Sequence, residues 1–422
     1  MKRLHDPGAL LASLPEGCTV VMHSGCAEPQ RLAREVAAHA AGMRGANLLT
    51  LMPMGQAPYG EPVPATQIHV ATFFPGKGLR TALNAGRVRA LRHPLSAIPG
   101  LFDSGAMKAD AVLLQVSAPV ETGHVSLGIS VDYMRAVLGQ APLVIAEINP
   151  RMPRTCGDTR LAVSAIDWFV DAVDAPQEVA PTPADAIDEQ IARNVAALVR
   201  DGAVLQVGIG ALPDCVMGHL GHAKHLGLHT GIITDPVRLL IESGIIDNSR
   251  KRHFPGVGLT TMAAGTQSFY DFLHSNGAIE FHPCSLTHDA ALLADIDGLC
   301  AINSVLQVDL AGNVNAECVD GRQISLPGGL PDFAAGARRA RDGMSIIALR
   351  SAFGKHNASS IVPRLGTGTP VSVGYADVDF VVTEYGVAAL RGLSTRQRAD
   401  ALIALARPEH REALAREFVS QL

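Results

Sequence analysis

Short apolar runs without polar alternation recur along this 422-residue chain, separated by stretches in which Leu and Ala repeat at helical spacing. The clearest runs are residues 111–117, 143–147, 345–349 and 379–383. A strand that lacks alternation is typical of a sheet buried on both faces, as parallel sheets are. The pattern therefore predicts an α/β fold with open, mostly parallel sheets.

One strand–turn–helix pattern occurs twice, in residues 17–29 and 202–213. Each copy begins at a glycine, continues through an apolar run, and reaches a glycine turn that is followed by proline and a helical repeat. The N–H groups of such a turn can bind an anion or a developing oxyanion, although glycine in a βα turn also has a purely steric explanation. The repetition predicts two halves of related topology.

A stretch rich in Pro, Ala and acids, residues 174–185, precedes a helical pattern over residues 186–200. Such a composition is typical of a linker, and 422 residues exceed what one core usually supports. We therefore expect an N-terminal α/β domain of residues 1–185 and a C-terminal α/β domain of residues 186–422.

Composition narrows the class of protein. The net charge is −5 and the basic residues are scattered, so no basic surface favours nucleic acid as a partner. The sequence contains neither a signal-peptide pattern at its start nor an apolar run of the ~18 residues that a membrane span requires. These features predict a cytoplasmic protein with no membrane association.

Cysteines and histidines are the residue types that could bind a metal. The seven cysteines form no Cys-x-x-Cys pair, so free thiols are expected. Four histidines recur at intervals of three and four residues: His219, His222, His225 and His229. Intervening glycines break any shared helical face, and no acidic residue stands at a matching interval. We therefore predict no metal site.

Eight motifs, in one order, resemble the acetyl-CoA hydrolase/transferase family, whose best-known members are 4-hydroxybutyrate CoA-transferases. These motifs are residues 24–30, 123–132, 147–155, 208–214, 226–230, 301–309, 328–333 and 382–386. The resemblance covers nearly the whole chain and implies two CoA-transferase-like α/β halves of related topology facing across a cleft. It also implies a homo-oligomer, commonly a homodimer.

The chemistry implied by the resemblance is ping-pong transfer. A glutamate attacks the acyl-CoA thioester, CoA returns to form a glutamyl-CoA thioester, and a second carboxylate then accepts the CoA. Coenzyme A or acyl-CoA is thus a substrate, and no tightly bound cofactor is expected. In the family the glutamate follows a His-Thr or His-Ser pair. This chain has Gly231 after His229 and Thr230, so it lacks the nucleophile at that position.

The resemblance also suggests the site residues. The catalytic candidates are His229, Gly231 as the position of the family glutamate, and Gly329. The candidates for binding substrate or CoA are Gly25, Cys26, Glu28, Ser126, Gly128, Gly208, Gly210, Thr230, Gly328, Asp332, Lys355 and Ser359. The loop at residues 325–330 departs from the family pattern, because it has one glycine and one amide fewer. The site therefore looks repurposed.

Several other residues are candidate substitutes for the glutamate. His229 is a candidate general base, although it is equally interpreted as a packed, hydrogen-bonded histidine. Glu317, Glu28 and Glu384 are interpreted as structural acceptors, and Asp235 as the cap of a helix that begins at Pro236. The thiols of Cys26, Cys215 and Cys318 show no readable Cys-His-acid grouping.

Three functions stay open at this point. The first is an enzyme that processes acyl-CoA thioesters without a glutamyl-CoA intermediate, by acyl transfer, hydrolysis, condensation or lactonisation. The N–H groups near Gly210 and Gly329 would stabilise its oxyanion. The second is a CoA-transferase that uses a relocated acid and a small carboxylate acceptor. The third is a non-catalytic acyl-CoA-binding subunit or sensor.

Overall fold

A computed structural model describes residues 1–61, 68–354 and 356–420 of the chain. It divides into two compact units, Met1–Ala180 with Leu259–Thr287, and Pro181–Gly258 with His288–Leu422. The first division falls close to the predicted boundary at residue 185. The segment from Leu259 to Thr287 groups with the first unit because it forms backbone pairs there, including the bond from the Val131 N–H to the Thr261 carbonyl, 2.9 Å.

The elements follow in chain order. Up to residue 180 the strands are β1 (Lys2–Arg3), β2 (Thr19–Met22), β3 (Asn47–Thr50), β4 (His69–Thr72), β5 (Val88–Ala90), β6 (Ala111–Ser117), β7 (His124–Ser126), β8 (Val144–Asn149), β9 (Cys156–Gly157), β10 (Arg160–Ala162) and β11 (Trp168–Asp171). The helices of this stretch are α1 (Pro7–Ala12), α2 (Gln30–Ala38), α3 (Arg80–Asn84), α4 (Ile98–Asp103) and α5 (Met134–Leu138).

The middle of the chain continues the same alternation. The next elements are α6 (Ala186–Ala196), β12 (Val204–Val207), α7 (Ala211–Gly218), β13 (Gly227–Leu228), β14 (Ile232–Ile233) and α8 (Pro236–Glu242). They are followed by β15 (Gly258–Thr260), β16 (Met262–Ala263), α9 (Gln267–Leu273), β17 (Ile279–Phe281) and α10 (Cys284–Thr287).

The remaining elements all belong to the second unit. The helices are α11 (Ala290–Ala294), α12 (Leu330–Arg339), α13 (Thr395–Leu405) and α14 (Pro408–Ser420). The strands are β18 (Leu299–Ser304), β19 (Gln307–Asp309), β20 (Val314–Asn315), β21 (Cys318–Val319), β22 (Arg322–Gln323), β23 (Met344–Ala348), β24 (Ala352–Phe353), β25 (Ala358–Ser359), β26 (Ile361–Val362), β27 (Phe380–Thr383) and β28 (Gly386–Ala389).

The main sheet of the first unit has the strand order β1-β11-β8-β6-β2-β3-β4-β5, and all of its pairs are parallel. Its central strand β6 is buried at every residue, as predicted from its unbroken apolar run. Five neighbouring strands, β3-β2-β6-β8-β11, follow the 2-1-3-4-5 order in which open α/β sheets reverse direction between the first and third strands.

The main sheet of the second unit repeats this order. Its strands run β13-β12-β18-β23-β27-β28, of which the first five are again in the 2-1-3-4-5 order and parallel, with β28 as an antiparallel edge. The predicted open, mostly parallel α/β fold is therefore confirmed. The related topology of the two units follows from the repeated pattern, since β2 and β12 are the equivalent first strands.

Local boundaries follow the sequence signals closely. The predicted strand at residues 111–117 is β6 itself, and the run at residues 345–349 corresponds to β23 one residue earlier. Helix α6 begins after Asp185, whose carboxylate accepts the N–H groups of Ile187 and Asp188. Among the described residues, no helix is both long and apolar enough to cross a membrane.

Candidate active site

The carboxyl ends of the first two strands of the second sheet lie side by side. The His229 N–H donates to the Leu205 carbonyl, 2.9 Å, which continues the pairing of β13 with β12 by one residue. The Thr230 hydroxyl donates to the Val207 carbonyl, 3.2 Å. Residues 229–231 are thereby held next to the turn that follows β12. This is the edge of a parallel sheet where ligands usually bind.

Two glycines of this region lie against one imidazole. A Cβ added at Gly231 would lie 2.9 Å from the His288 Nε2 atom and 3.6 Å from Phe333 Cε2. A Cβ at Gly329 would lie 2.5 Å from the same Nε2 atom. The ring of His288 therefore occupies the space that a side chain at residue 231 would enter, and any larger residue there requires His288 to move.

His288 is held firmly in that position. Its ring packs edge-to-face on Phe333, with centroids 4.7 Å apart and planes at 62°. It directly precedes Asp289, the N-cap of α11, whose carboxylate accepts the Leu292 N–H at 2.7 Å. Burial, and secondarily the neighbouring His229, lower the pKa of His288 to about 3. His288 is thus a neutral imidazole near neutral pH, able to donate or accept a hydrogen bond without bringing a positive charge.

His229 lies in the same region as His288. We call these two residues together the imidazole pair. The His229 side chain is fully buried, and its ring centroid lies 6.4 Å from that of Phe333 in an edge orientation. The structure thus brings the three predicted catalytic positions, His229, Gly231 and Gly329, into one group. Neither His288 nor its contact with both glycines was foreseen.

The glycine-rich turn at residues 328–329 leads into α12. Gly328 has a φ of +56°, which favours glycine, and Gly329 is the N-cap residue of the helix. Asp332 lies in the first turn and is half-buried. The N-terminal N–H groups of α12 and the Asp332 carboxylate therefore lie in the segment that also carries Phe333.

The second predicted turn follows β12 and precedes α7. It lies where the strand order reverses, because β12 and its neighbour β18 are the first and third strands of the sheet. Gly210 is exposed and has a φ of +123° with extended ψ, a conformation almost restricted to glycine. The Gly208 N–H donates to the Ile302 carbonyl, 3.0 Å. Below the turn, the amides of Gln206 and Asn303 exchange hydrogen bonds of 2.8 and 3.2 Å across the two strands.

Ser359 and Lys355 are the remaining predicted residues of the second unit. The Ser359 hydroxyl donates to the Ile361 carbonyl, 2.7 Å, and thus stabilises its own loop. Lys355 lies outside the described residues.

Three predicted residues of the first unit form its glycine turn after β2. Gly25 has a φ of +60° and donates its N–H to the Leu51 carbonyl, 3.1 Å. Cys26 is buried, which raises the pKa of its thiol to about 12 and makes it a poor nucleophile. Glu28 is also buried, accepts the Tyr59 hydroxyl at 3.0 Å, and has a pKa raised by burial to about 8. The side chains of Cys26 and Glu28 are therefore part of the buried interior of the first unit.

Ser126 and Gly128 also belong to the first unit. The Ser126 hydroxyl accepts the Gly128 N–H, 3.0 Å, and a Cβ at Gly128 would overlap the Met152 sulfur. Gly128 is therefore required by packing. Ser126 also lines a cavity of about 520 Å³ together with Arg154 and Arg160.

The acids considered as substitutes have structural partners. Glu317 is buried and accepts the Ser372 hydroxyl at 3.0 Å, and Glu384 accepts both the hydroxyl and the N–H of Ser351, at 2.6 and 3.0 Å. The prediction that Asp235 caps α8 is wrong. The helix does begin at Pro236, but Asp235 has helical φ and ψ values and makes no capping bond with its side chain.

Two of the four spaced histidines have acidic partners that the sequence intervals did not reveal. His219 lies 2.7 Å from a carboxylate oxygen of Glu189, and His225 lies 2.7 Å from one of Asp247. These acids come from other segments, so the search at matching sequence intervals missed them. Cys215 is a poor candidate nucleophile, because burial and then Glu189 raise the pKa of its thiol to about 11.

His288 is the main residue that sequence reasoning missed. It stands far along the chain from Gly231, in a segment without glycine or repeat, and the only local signal is its place before a capped helix. Phe333 belonged to a motif already noted, but its role as a support for imidazole rings depends on tertiary packing.

Solved structures share this architecture. RipA from Yersinia pestis superimposes with a TM-score of 0.92 at 29% identity, covering 99% of this chain and 97% of that one. A 4-hydroxybutyrate CoA-transferase from Porphyromonas gingivalis gives a TM-score of 0.84 at 32% identity, covering 100% and 98%. The fold and site thus define an α/β protein of the CoA-transferase class.

Sequence comparison names the family. The chain is 38% identical over 399 residues to the 4-hydroxybutyrate coenzyme A transferase of Clostridium kluyveri, covering 94% of this chain and 93% of the relative. Residues 1–182 match the acetyl-CoA hydrolase/transferase N-terminal domain and residues 265–418 the C-terminal domain of the same family. The protein is a member of the acetyl-CoA hydrolase/transferase family.

Proposed function

We propose that this protein processes acyl-CoA thioesters without a glutamyl-CoA intermediate. The observation that carries the proposal is Gly231, which offers no carboxylate and whose side-chain space is filled by His288, since a Cβ there would lie 2.9 Å from the His288 Nε2 atom. The similarity to 4-hydroxybutyrate coenzyme A transferase over nearly the whole chain supports an acyl-CoA substrate. Acyl transfer, hydrolysis, and condensation or lactonisation are the reactions that fit.

In this proposal His229 is the general base. It takes a proton from water or from an acceptor, which attacks the thioester carbonyl carbon. The resulting oxyanion is stabilised by N–H groups at the Gly210 and Gly329 turns. Collapse breaks the carbon–sulfur bond, and the proton held by His229 returns to the departing CoA thiolate. Neutral His288 supports the site as a hydrogen-bonding group, since its lowered pKa of about 3 makes it a weak base.

A transferase that uses a relocated acid is the competing function. It would require a carboxylate that is available for attack at about 3 to 3.5 Å from the thioester carbon. Glu317 and Glu384 are already committed to Ser372 and Ser351. This arrangement favours the mechanism without an enzyme-bound carboxylate intermediate.

The test combines turnover with trapping. The purified protein is incubated with a panel of acyl-CoA thioesters, with and without small carboxylate or nucleophilic acceptors, and products are identified by mass spectrometry. Parallel samples are treated with borohydride or hydroxylamine to label an enzyme-bound CoA thioester. We expect turnover of at least one thioester and no label on any acid.

Each other outcome contradicts the proposal. A label on an acidic residue during transfer would establish the relocated-acid mechanism. Tight binding of acyl-CoA by calorimetry without any turnover would establish a binding subunit or sensor. The cytoplasmic location expected from the sequence stays a prediction. The homodimer implied by the resemblance also stays a prediction, and light scattering on the purified chain tests it.

A further inference from the structure

Three metal-binding side chains converge on the packed helices α6 and α7 of the second unit. Cys215 and His219 are four residues apart on and just after α7, a spacing that places both on one face. Glu189 reaches them from α6, with a carboxylate oxygen 2.7 Å from His219 Nε2. The ligand atoms of all three residues lie within 4.8 Å of one another.

The cluster is accessible from one side. All three side chains are half-buried and line a cavity of about 380 Å³, whose wall also includes Asp214. The Asp214 carboxylate accepts the Thr234 hydroxyl at 2.7 Å and is half-buried itself. A cation in this cluster would therefore have protein ligands on one side and space for water on the other.

We propose that Glu189, Cys215 and His219 form a binding site for a borderline transition-metal ion such as Zn²⁺. A thiolate, an imidazole and a carboxylate are the ligand types that Zn²⁺ accepts, whereas Mg²⁺ and Ca²⁺ prefer oxygen alone. Three protein ligands leave the fourth tetrahedral position to water. Binding displaces the Cys215 thiol proton to solvent, and His219 ligates as neutral imidazole.

The geometry requires only a small adjustment. Bond lengths of about 2.0 to 2.3 Å put the ligand atoms of a tetrahedral zinc site about 3.3 to 3.8 Å apart. The spacing of up to 4.8 Å can close to that range by side-chain rotation. Arg193 opposes binding, because its guanidinium lies 3.6 Å from a Glu189 oxygen and competes for the carboxylate.

The site has a consequence for the turn after β12. Helix α7 begins directly after Gly210, so the metal would join α6 to the helix that starts at this turn. It would therefore hold the turn in place from a position outside the imidazole pair. The proposal does not rest on the reaction proposed above.

The experiment uses the full chain, stripped of metal by a chelator and titrated with Zn²⁺ by calorimetry and with Co²⁺ by absorption. We expect one Zn²⁺ per chain and a near-ultraviolet thiolate-to-cobalt band. Cys215→Ser should abolish the band. Cys215→Ser and His219→Ala should each weaken Zn²⁺ binding at least about tenfold, since even the loss of a hydrogen-bonding partner of a ligand costs about 10 to 100-fold. The matched control is His253→Ala, which removes an imidazole that lies 2.7 Å from an Asp295 oxygen and is not part of the Glu189, Cys215 and His219 cluster.

Arg193→Gln provides a test that retains every ligand. Since it removes the competing guanidinium, it should strengthen Zn²⁺ binding by several-fold while leaving circular dichroism unchanged. Absence of saturable Zn²⁺ binding to the wild-type chain overturns the proposal. So does a cobalt band that persists in Cys215→Ser, or a His253→Ala variant that loses as much affinity as His219→Ala.

Discussion

The two copies of the strand–turn–helix pattern have opposite surroundings. In the first unit, residues 25–28 are all buried, and the turn bonds to Leu51 through the Gly25 N–H. In the second unit, Gly208 is half-buried and Gly210 is exposed. The same sequence pattern after the first strand of each sheet therefore gives a closed turn in one unit and an open turn in the other.

The closed turn belongs to a buried hydrogen-bonded core. The Gln115 amide donates to the Glu28 carbonyl, 2.7 Å, and His23 lies between Gln115 and Ser130. Burial lowers the pKa of His23, so we assign a neutral ring that donates from Nε2 to the Ser130 carbonyl, 2.8 Å, and accepts the Gln115 N–H at Nδ1, 3.3 Å. Polar groups satisfied in this way stabilise the unit. The shared motif thus predicts where each sheet ends, but only the turn of the second unit leaves a glycine exposed to a ligand.

The largest effect should distinguish His229 in the second unit from His23 in the first, both of which are buried. Glutamine in place of His229 keeps a hydrogen-bonding group but cannot take up a proton, so His229→Gln should reduce turnover by about 10² to 10⁴-fold. His23→Gln should instead lower the free energy of unfolding, with turnover per folded molecule within about threefold of wild type. Steady-state kinetics and urea denaturation separate these results. Equal loss of turnover in both variants would contradict the comparison.

The next largest effect is a dependence of the free energy of unfolding on pH, which originates mainly in Glu28 of the closed turn. The pKa of Glu28 is about 8 in the folded protein and ordinarily 4.5, and that of Glu147 is raised to about 7. The folded state therefore retains protons that the unfolded state has lost. The stability that these two protonated carboxyl groups contribute is fully present below their unfolded pKa of 4.5. It is lost as the pH rises through their folded pKa values, at up to about 1.4 kcal/mol per pH unit for each group.

Glu28→Gln should remove the Glu28 part of this slope, because a glutamine keeps the size of the protonated side chain without titrating. Urea unfolding at several pH values between 5 and 8 measures the slope. The same substitution at the exposed Glu121 is the control and should leave the slope unchanged. A Glu28→Gln protein that loses stability with pH as steeply as wild type would show that the proton is not held there.

The third effect concerns the open end of the second sheet. Gly231→Ala should cost about 1 to 3 kcal/mol, because its Cβ would lie 2.9 Å from His288 Nε2 in a packed site. In a His288→Ala background this cost should disappear. The double-mutant cycle should give a coupling energy of about 0.5 to 3 kcal/mol, and additivity within about 0.5 kcal/mol would show that the two residues do not compete for space.

A glutamate at residue 231 extends the same experiment. Gly231→Glu alone should not create a glutamyl-CoA intermediate, because His288 fills the space beside Gly231. In combination with His288→Ala it has room, and trapping with borohydride should then label residue 231. Equal labelling with and without His288 would refute the steric argument.

The smallest effect compares the two turn glycines directly. Gly25→Ala and Gly210→Ala should each cost about 1 kcal/mol in stability, because both residues have positive φ, +60° and +123°. Only Gly210→Ala should also reduce turnover, by about tenfold or more, since it moves an N–H of the proposed oxyanion site. Thermal denaturation measures the stability change and initial rates measure the turnover. A Gly210→Ala enzyme with the turnover of the wild type would remove this turn from the mechanism.

Much of the architecture was predictable because it depends on local patterns. The buried strand at residues 111–117, the start of α6 after residue 185 and the parallel sheets all follow from the hydrophobic pattern. The candidate site was predictable only in part. Glycines in recognisable motifs located the turns, but His288 and the grouping of Glu189 with His219 depend on which distant segments pack together, and no spacing rule contains that information.

One helix contact connects the segment that carries His288 with the turn that carries Gly329. His288 precedes the N-cap of α11, and Gly329 is the N-cap of α12. These helices touch where a Cβ at Gly336 would lie 2.6 Å from the Leu293 Cβ. Helices in such close contact cannot slide independently. The segment that carries His288 and the turn that carries Gly329 are therefore connected through this contact, and we expect a larger side chain at Gly336 to displace both of them.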